Sequence, residues 1–435
     1  MQIRSSLRQL WRESRANPGF TALYIGGVAF AVAFTMVYAI IYYVNIAPLY
    51  PEYNRDTTSY AAYIQIRNDS TSSTQGSLIS KKFIDEFISN SENIEFCSII
   101  APTGYEGATI STPNGTIKAV SKLTDRNFFR LYDYEFLAGR PFSEIEVESE
   151  NPFFVVITNT IAERVFGSTE NAVGSEILID YRPHKVVGVI RRGNPVANTS
   201  YADIIRPYTI TPMSMSMSGY NGSLKDYLGS FCAYIKFSDS RQRERFMAEY
   251  NDKISRAADA DGFKINGAKI KTHYEGLLEG NEAEPIPLEN AVRSLIIMLL
   301  VLLIVPAINI SGMIGGQMDR RLAETGLRRS FGATRGNLIR QVMFENLVLT
   351  LAGGLIGFLI AWGIVLIGRR QLLQLLVSSW EMIDAPIDIS TEMLFAPAIF
   401  IGALLFCLIL NLLSAYIPAR LSLRRPIVNS LNSKR

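Results

Sequence analysis

LVLTLAGGLIGFLIAWGIVLIG, residues 347–368, is a run of 22 residues without one Asp, Glu, Lys or Arg. A bilayer core of about 30 Å is crossed by a helix of about 20 apolar residues. A single charge at the centre of such a span costs about 2.5–3.5 kcal/mol on the insertion scale. Three more runs share the property: FTALYIGGVAFAVAFTMVYAIIYYV (20–44), SLIIMLLVLLIVPAINISGMIG (294–315) and MLFAPAIFIGALLFCLILNLLSAYIP (393–418). Uncharged runs of this length predict an integral membrane α-helical protein with four transmembrane helices. The first run exceeds the apolar core of a signal peptide, and no small-x-small cleavage motif follows it, so it is expected to remain as an anchor.

Working outward, the flanks set orientation. Arg4, Arg8, Arg12 and Arg15 precede the first span, and Arg320, Arg321, Arg328, Arg329, Arg335 and Arg340 follow the second. Arg420, Arg424, Arg425, Lys434 and Arg435 follow the fourth. The positive-inside rule places these three segments, and both termini, in the cytoplasm. Arg369 and Arg370 run against the rule, in a loop shared with Glu381, Asp384, Asp388 and Glu392. The segments are therefore a cytoplasmic amphipathic helix (1–18), span 1 (19–44), an extracytoplasmic domain (45–290), span 2 (291–315) and a cytoplasmic segment (316–341). Span 3 (342–368), an outer loop (369–392), span 4 (393–418) and a cytoplasmic tail (419–435) complete the chain. In the first segment Ile3, Leu7, Leu10 and Trp11 share one helical face and the arginines another, as in a helix lying on the inner leaflet.

The large outer domain reads as α+β. YAAYIQI (60–66), IEFCSII (94–100) and FCAYIKF (231–237) alternate like strands. KKFIDEFISN (81–90) and SRQRERFMAEYNDKISRAADA (240–260) read as helices, FKINGAKIKT as extended chain, and the polar NDSTSSTQGS (68–77) as a loop. Strand–helix–strand thus occurs twice, around a β-rich insertion at about 105–225 that contains ILIDY, KVVGVI and YADIIRPY.

Composition excludes several function classes. A formal net charge of +3 over 435 residues does not point to nucleic acid. Cys97, Cys232 and Cys407 have no metal-ligand spacing, and His184 and His273 cannot form an HExxH site, so no metal site is expected. Cys97 and Cys232, in two predicted strands, either pair outside the cell or stay as separate buried thiols. No GxxxxGK[ST] phosphate loop occurs, and no catalytic set stands out. Small residues recur at spacings that allow close helix contact: Gly27 and Ala31, Ala29 and Ala33, Gly353 and Gly357. They serve either contact between two copies of the chain or packing within one chain. Pro306 and Asn309 are expected to kink the second span, and Asn411 needs a partner inside the bundle.

Between spans 2 and 3 lies ETGLRRSFGATRGNLIRQ, residues 324–341. Gly332 offers a helix stop and Thr334 a cap for the next helix. Leu327 and Phe331, four apart, share an apolar face. Together with VMFENLVLTLAGGLIGFLIA, this stretch resembles the signature of FtsX-like permeases of MacB-type ABC transporters. IPARLSLRRPIVNSL (417–431) is similar to the family's C-terminal motif. LTDRNFFRLYDYEFLAGRPFS (123–143), FVVITNTIAERVFG (154–167) and AVGSEILIDYRPHKVVGVI (172–190) are similar to its periplasmic core domain.

The resemblance implies a permease subunit with no cofactor on this chain, ATP and Mg being held by a separate ABC ATPase. It implies a second permease copy or a related permease, and contacts with lipid, a periplasmic adaptor and an outer-membrane channel. Glu324, Gly326, Leu327, Arg328, Arg329, Phe331, Gly332, Thr334 and Arg335 would form the ATPase-coupling element. In it Leu327 and Phe331 are apolar anchors, Arg328 and Arg329 pair with acidic groups, and Glu324 pairs with a basic one. The alternative for the arginines is contact with lipid phosphates alone. Other functions compatible with the layout are lipoprotein release, and a membrane-anchored sensor or structural protein with a ligand-binding outer domain.

Overall fold

The computed structural model describes residues 8, 11–12, 14–48, 50–68, 73–102, 107–113, 115–193, 197, 199–210, 226–261, 263–266, 269–279, 286–320, 327–328, 330–368 and 397–424. The chain divides into two compact units. One comprises Met1–Tyr43, Val292–Leu372 and Ser390–Arg435, the other Val44–Ala291 and Leu373–Ile389. Of the expected interfacial helix, Arg8, Trp11 and Arg12 are helical, and Trp11 is exposed. Ile3, Leu7 and Leu10 lie outside the described residues. The first long helix, α1, is Pro18–Ile46.

In the second unit the run expected as one strand is two, β1 (Thr58–Ala61) and β2 (Tyr63–Asn68), which belong to different sheets. The polar stretch expected as a loop contains strand β3 (Ser73–Ile79), paired with β2 from Tyr63↔Leu78 to Asn68↔Ser73. Its backbone bonds hold it, while Thr74 is exposed and Gln75, Ser77 and Leu78 are only partly buried, so polar residues suffice there. Helix α2 (Lys81–Ile84) is capped by the Ser80 hydroxyl, which accepts from the Phe83 amide at 3.1 Å, and continues as a wider π-helical turn over Asp85–Ser89. Its apolar face buries Phe83, Ile84, Phe87 and Ile88.

The following elements are β4 (Phe96–Pro102), β5 (Ala108–Thr112), β6 (Gly115–Ala119), β7 (Ser121–Thr124), the single turn α3 (Phe128–Leu131), β8 (Phe136–Gly139) and the turn α4 (Glu144–Val147). Then come β9 (Phe154–Thr158), α5 (Asn159–Phe166), β10 (Glu176–Ile179), β11 (Arg182–Ile190), β12 (Ile204–Pro207), β13 (Leu228–Gly229) and β14 (Cys232–Lys236). The unit closes with α6 (Ser240–Asp261), β15 (Phe263–Asn266), β16 (Lys271–Thr272) and α7 (His273–Glu279). Twelve strands form one sheet in the order β16-β1-β14-β4-β7-β12-β9-β11-β10-β5-β6, with β8 on β11. A smaller sheet runs β13-β3-β2-β15. The strands between 105 and 225 therefore extend the sheet of the flanking halves, through the antiparallel β4–β7 and parallel β7–β12 ladders.

The incoming and outgoing segments of this unit are tied together. Strands β1 and β16 pair at Ser59↔Thr272 and Tyr60↔Lys271. Just past α1, the Arg55 guanidinium donates to the Ala47 carbonyl at 2.8 Å and to Glu52 at 2.6 Å. Glu52 also accepts from the Ser200 amide at 3.0 Å, and both members of the pair are buried. Burial alone would raise the Glu52 carboxyl, but Arg55, His273 and Ser200 outweigh it and hold it below the ordinary carboxylate range. Cys97 and Cys232 are separate buried thiols. On the adjacent strands β4 and β14 they face Ile235 and Ile100, not each other.

In the first unit the long helices are α1, α8 (Leu288–Arg320), α9 (Arg335–Ile367) and α10 (Pro397–Arg424). Among the described residues three stretches are long and apolar enough to cross a membrane: Pro18–Ile40, Arg335–Ile367 and Leu404–Leu421. This count differs from the four expected. The run 294–315 is helical throughout as part of α8, but several of its side chains fall outside the described residues.

Gly353 and Gly357 bring α9 against α1. A Cβ on Gly357 would sit 2.5 Å from the Ala29 carbonyl oxygen, and one on Gly353 would sit 2.8 Å from the Val28 Cβ. A hydrogen bond of 3.1 Å joins the Tyr24 and Thr350 hydroxyls across the same contact. Gly354, on another side of α9, meets Leu404 of α10. The Gly353–Gly357 face is thus occupied within the chain. Ala31 is buried, whereas a Cβ on Gly27 would meet nothing within 4 Å. Asn411 is buried in α10.

Two outcomes follow from these contacts. Arg55→Met leaves the buried Glu52 carboxylate without its cation, and urea unfolding of the outer unit in the purified full-length chain is expected to lose about 3–5 kcal/mol. The depressed Glu52 pKa makes this contribution present above the ordinary carboxylate range and lost as pH falls through the folded value. A loss under about 1 kcal/mol at neutral pH, the scale of an exposed pair, would show that the pair is not holding the segment. Gly357→Val is expected to destabilise the bundle by about 1–3 kcal/mol through overpacking. Gly363→Ala, whose Cβ would meet nothing within 4 Å, should leave the thermal midpoint in detergent unchanged.

Candidate coupling surface

The turn before α9 is built from local chemistry. The Phe331 amide donates to the Leu327 carbonyl at 3.2 Å, closing one helical turn. Gly332 then adopts φ +91°, a left-handed conformation that costs a residue without Cβ nothing. The Ala333 amide reaches back to the Arg328 carbonyl at 3.0 Å, the six-to-one bond of a Schellman stop. One residue later Thr334 caps α9, its hydroxyl accepting from the Asn337 amide at 3.3 Å. Stop and cap are therefore separated by one residue, Ala333.

This geometry displays two large apolar side chains. Phe331 is 84% exposed and Leu327 53% exposed. With Arg328, Gly332, Ala333, Asn337, Leu338 and Gln341 they line a groove of about 510 Å³. Thr334 and Arg335 are exposed beside it. Glu324, Gly326 and Arg329 lie outside the described residues, so the structure brings together Leu327, Arg328, Phe331, Gly332, Thr334 and Arg335.

Arg328 makes a contact within the chain. Its guanidinium points back to α9 and donates to the Gln341 side-chain oxygen at 3.1 Å. The Gln341 amide nitrogen in turn donates to Glu345 at 3.0 Å, and Glu345 is buried. Sequence reasoning missed Gln341 and Glu345. The signal was present in their spacing of four on α9, immediately before the uncharged run.

The two histidines pack within the second unit. His184 is buried in β11, with Nδ1 at 2.9 Å from the Arg182 carbonyl. Burial pushes its pKa below the usual histidine value. His273 packs against the rings of Tyr60 and Tyr234. No cluster of His, Cys, Asp and Glu able to hold a metal occurs among the described residues.

The model of the MacB-like periplasmic core domain matches residues 21–253, and that of the FtsX-like permease C-terminal region matches 296–427. The macrolide export ATP-binding/permease protein MacB of Neisseria gonorrhoeae is 24% identical over 293 residues, covering 66% of this chain and 40% of that protein. MacB of Agrobacterium fabrum is 25% identical over 337 residues, covering 75% and 45%. The chain thus spans less than half the length of these curated relatives. The crystal structure of the periplasmic region of MacB from Actinobacillus actinomycetemcomitans aligns with 48% of this chain and 89% of its own, at 17% identity and a TM-score of 0.31. An extracytoplasmic α+β domain between apolar helices, matched in series by these two models, makes the chain a multi-pass membrane protein of the MacB-type, FtsX-like family of ABC transporter permeases.

Proposed function

We propose that this chain is the membrane subunit through which a separate ABC-type ATPase moves the extracytoplasmic domain. In this reading α8 supplies the fourth crossing, both termini are cytoplasmic, and two permease chains act together in the inner membrane. The turn from Leu327 to Thr334 is the ATPase-docking element, and Glu324, Gly326 and Arg329 belong to it. The outer domain does work outside the membrane, and the cargo needs no path through the bundle.

The observation that carries this reading is the exposure of Leu327 and Phe331 at the hydrogen-bonded turn on the foot of α9. A Leu or Phe side chain gains about 1.5–3 kcal/mol on full burial. Two such anchors in a groove between short helical segments fit an apolar cleft on a partner. The 33 residues of α9 form a rod of about 50 Å at 1.5 Å per residue. A displacement at the docked turn would therefore reach the opposite end of the helix.

The test is co-purification from detergent-solubilised membranes. Wild type is compared with Leu327→Asp, Phe331→Asp, reading the bound ATPase and its ATP turnover. The double variant is expected to insert normally and to lose at least about tenfold in retained ATPase, since two charged groups would have to enter an apolar cleft. Equal retention by both chains would remove these residues as anchors. Absence of any ATPase with the wild type would remove the coupling reading itself.

A further inference from the structure

We infer that Arg328, Gln341 and Glu345 form a polar brace that positions the Leu327–Phe331 face on α9. Its functional consequence rests on the coupling reading above, but the brace itself is a property of this chain.

Glu345 lies ten residues into α9, two before the uncharged run, and is buried. A buried carboxylate without donors is costly, and Gln341, one turn earlier on the same face, supplies one. The Gln341 amide is thereby fixed in direction. With its nitrogen toward Glu345, its oxygen faces the turn, where the Arg328 guanidinium donates to it. Both contacts hold in only one amide orientation, because the oxygen accepts and the nitrogen donates. The amide thus links the guanidinium to the carboxyl group through one acceptor and one donor.

Arg328 is held at two points. Its carbonyl accepts the Ala333 amide that completes the Schellman stop, and its guanidinium is anchored to α9. One residue therefore fixes both the turn's backbone and the turn's angle to the helix. Leu327 and Phe331, on the same short turn, are left facing outward. Arg328, Gln341 and Glu345 act as positioning residues. In the proposed function they convert docking at the turn into movement of α9.

The brace is tested by hydrogen exchange of the full-length chain in lipid nanodiscs, reading the Phe331 and Ala333 amides. Gln341→Leu keeps the helix and removes both contacts. It is expected to speed exchange at these amides by about tenfold or more, the scale of hydrogen bonds to charged groups. Arg328→Met, which leaves α9 untouched, should produce the same change, and the double variant no more than either single one. Glu345→Gln keeps an acceptor for the Gln341 amide and should preserve most of the protection. The Leu338 amide, bonded to the Thr334 carbonyl, reports that the start of α9 stays folded. With the ATPase present, Gln341→Leu should retain binding and lose the turnover response. Unchanged exchange at Phe331 and Ala333 in Gln341→Leu, or additive effects in the double variant, would overturn the brace. Altered exchange with no ATPase bound to any chain would leave the brace standing and sink the coupling reading instead.

Discussion

Helix α9 must run unbroken, and the membrane unit depends on that constraint. Lipid offers no partners for free amides and carbonyls, so a crossing segment satisfies its backbone internally. Here the ladder starts at the Thr334 cap and closes where the Gly368 amide meets the Ile364 carbonyl at 2.7 Å. On this one rod sit the contacts that organise the bundle. Thr350, Gly353 and Gly357 receive α1, and Gly354 receives α10. Close approach is possible because these glycines carry no Cβ: Gly357 meets the backbone of α1 at the Ala29 carbonyl, Gly353 meets Val28, and Gly354 leaves room for the Leu404 side chain. In lipid such contact replaces the hydrophobic drive that water would supply.

The outer unit solves a related problem in water. Its chain arrives from α1 and leaves toward α8, and both segments are fastened to the same edge of the twelve-stranded sheet. Pairing of β1 with β16 joins them through backbone bonds, and the Glu52–Arg55 pair fastens Ala47 beside them. A buried ion pair of this kind adds little net stability against an apolar replacement. Its value here lies in geometry, because the charges fix where the residue after α1 must sit.

How far these features were legible in the sequence depends on which force writes them. The apolar runs stood out because exclusion of charge is strict, and α1, α9 and α10 lie close to the runs at 20–44, 347–368 and 393–418. The caps were legible too, since Gly332 and Thr334 act through local geometry. Strand pairing was less so. The alternation of YAAYIQI gives no sign that Ala62 separates two sheets. Strand β3 is polar because it is held by backbone bonds and left partly in water, so composition suggests a loop. The continuity of the large sheet through β7 and β12 is a long-range pairing that periodicity does not encode. At the candidate site, Leu327 and Phe331 were visible as an apolar pair. The inward turn of Arg328 was not, because it depends on a partner thirteen residues away.

That inward turn changes the account of why the segment is so basic. Exposed ion pairs contribute about 0–1 kcal/mol and weaken with salt, whereas each buried Leu or Phe contributes roughly 1.5–3 kcal/mol. In the proposed docking, affinity therefore rests on Leu327 and Phe331. In the same proposal the arginines of 316–340 do separate work: as a group they hold the segment on the cytoplasmic side, and Arg328 sets its angle to α9. A turn that bound its partner through flexible arginines would follow that partner loosely. Two apolar anchors on a turn braced to a continuous helix can pass on a displacement, which is what a coupling element requires.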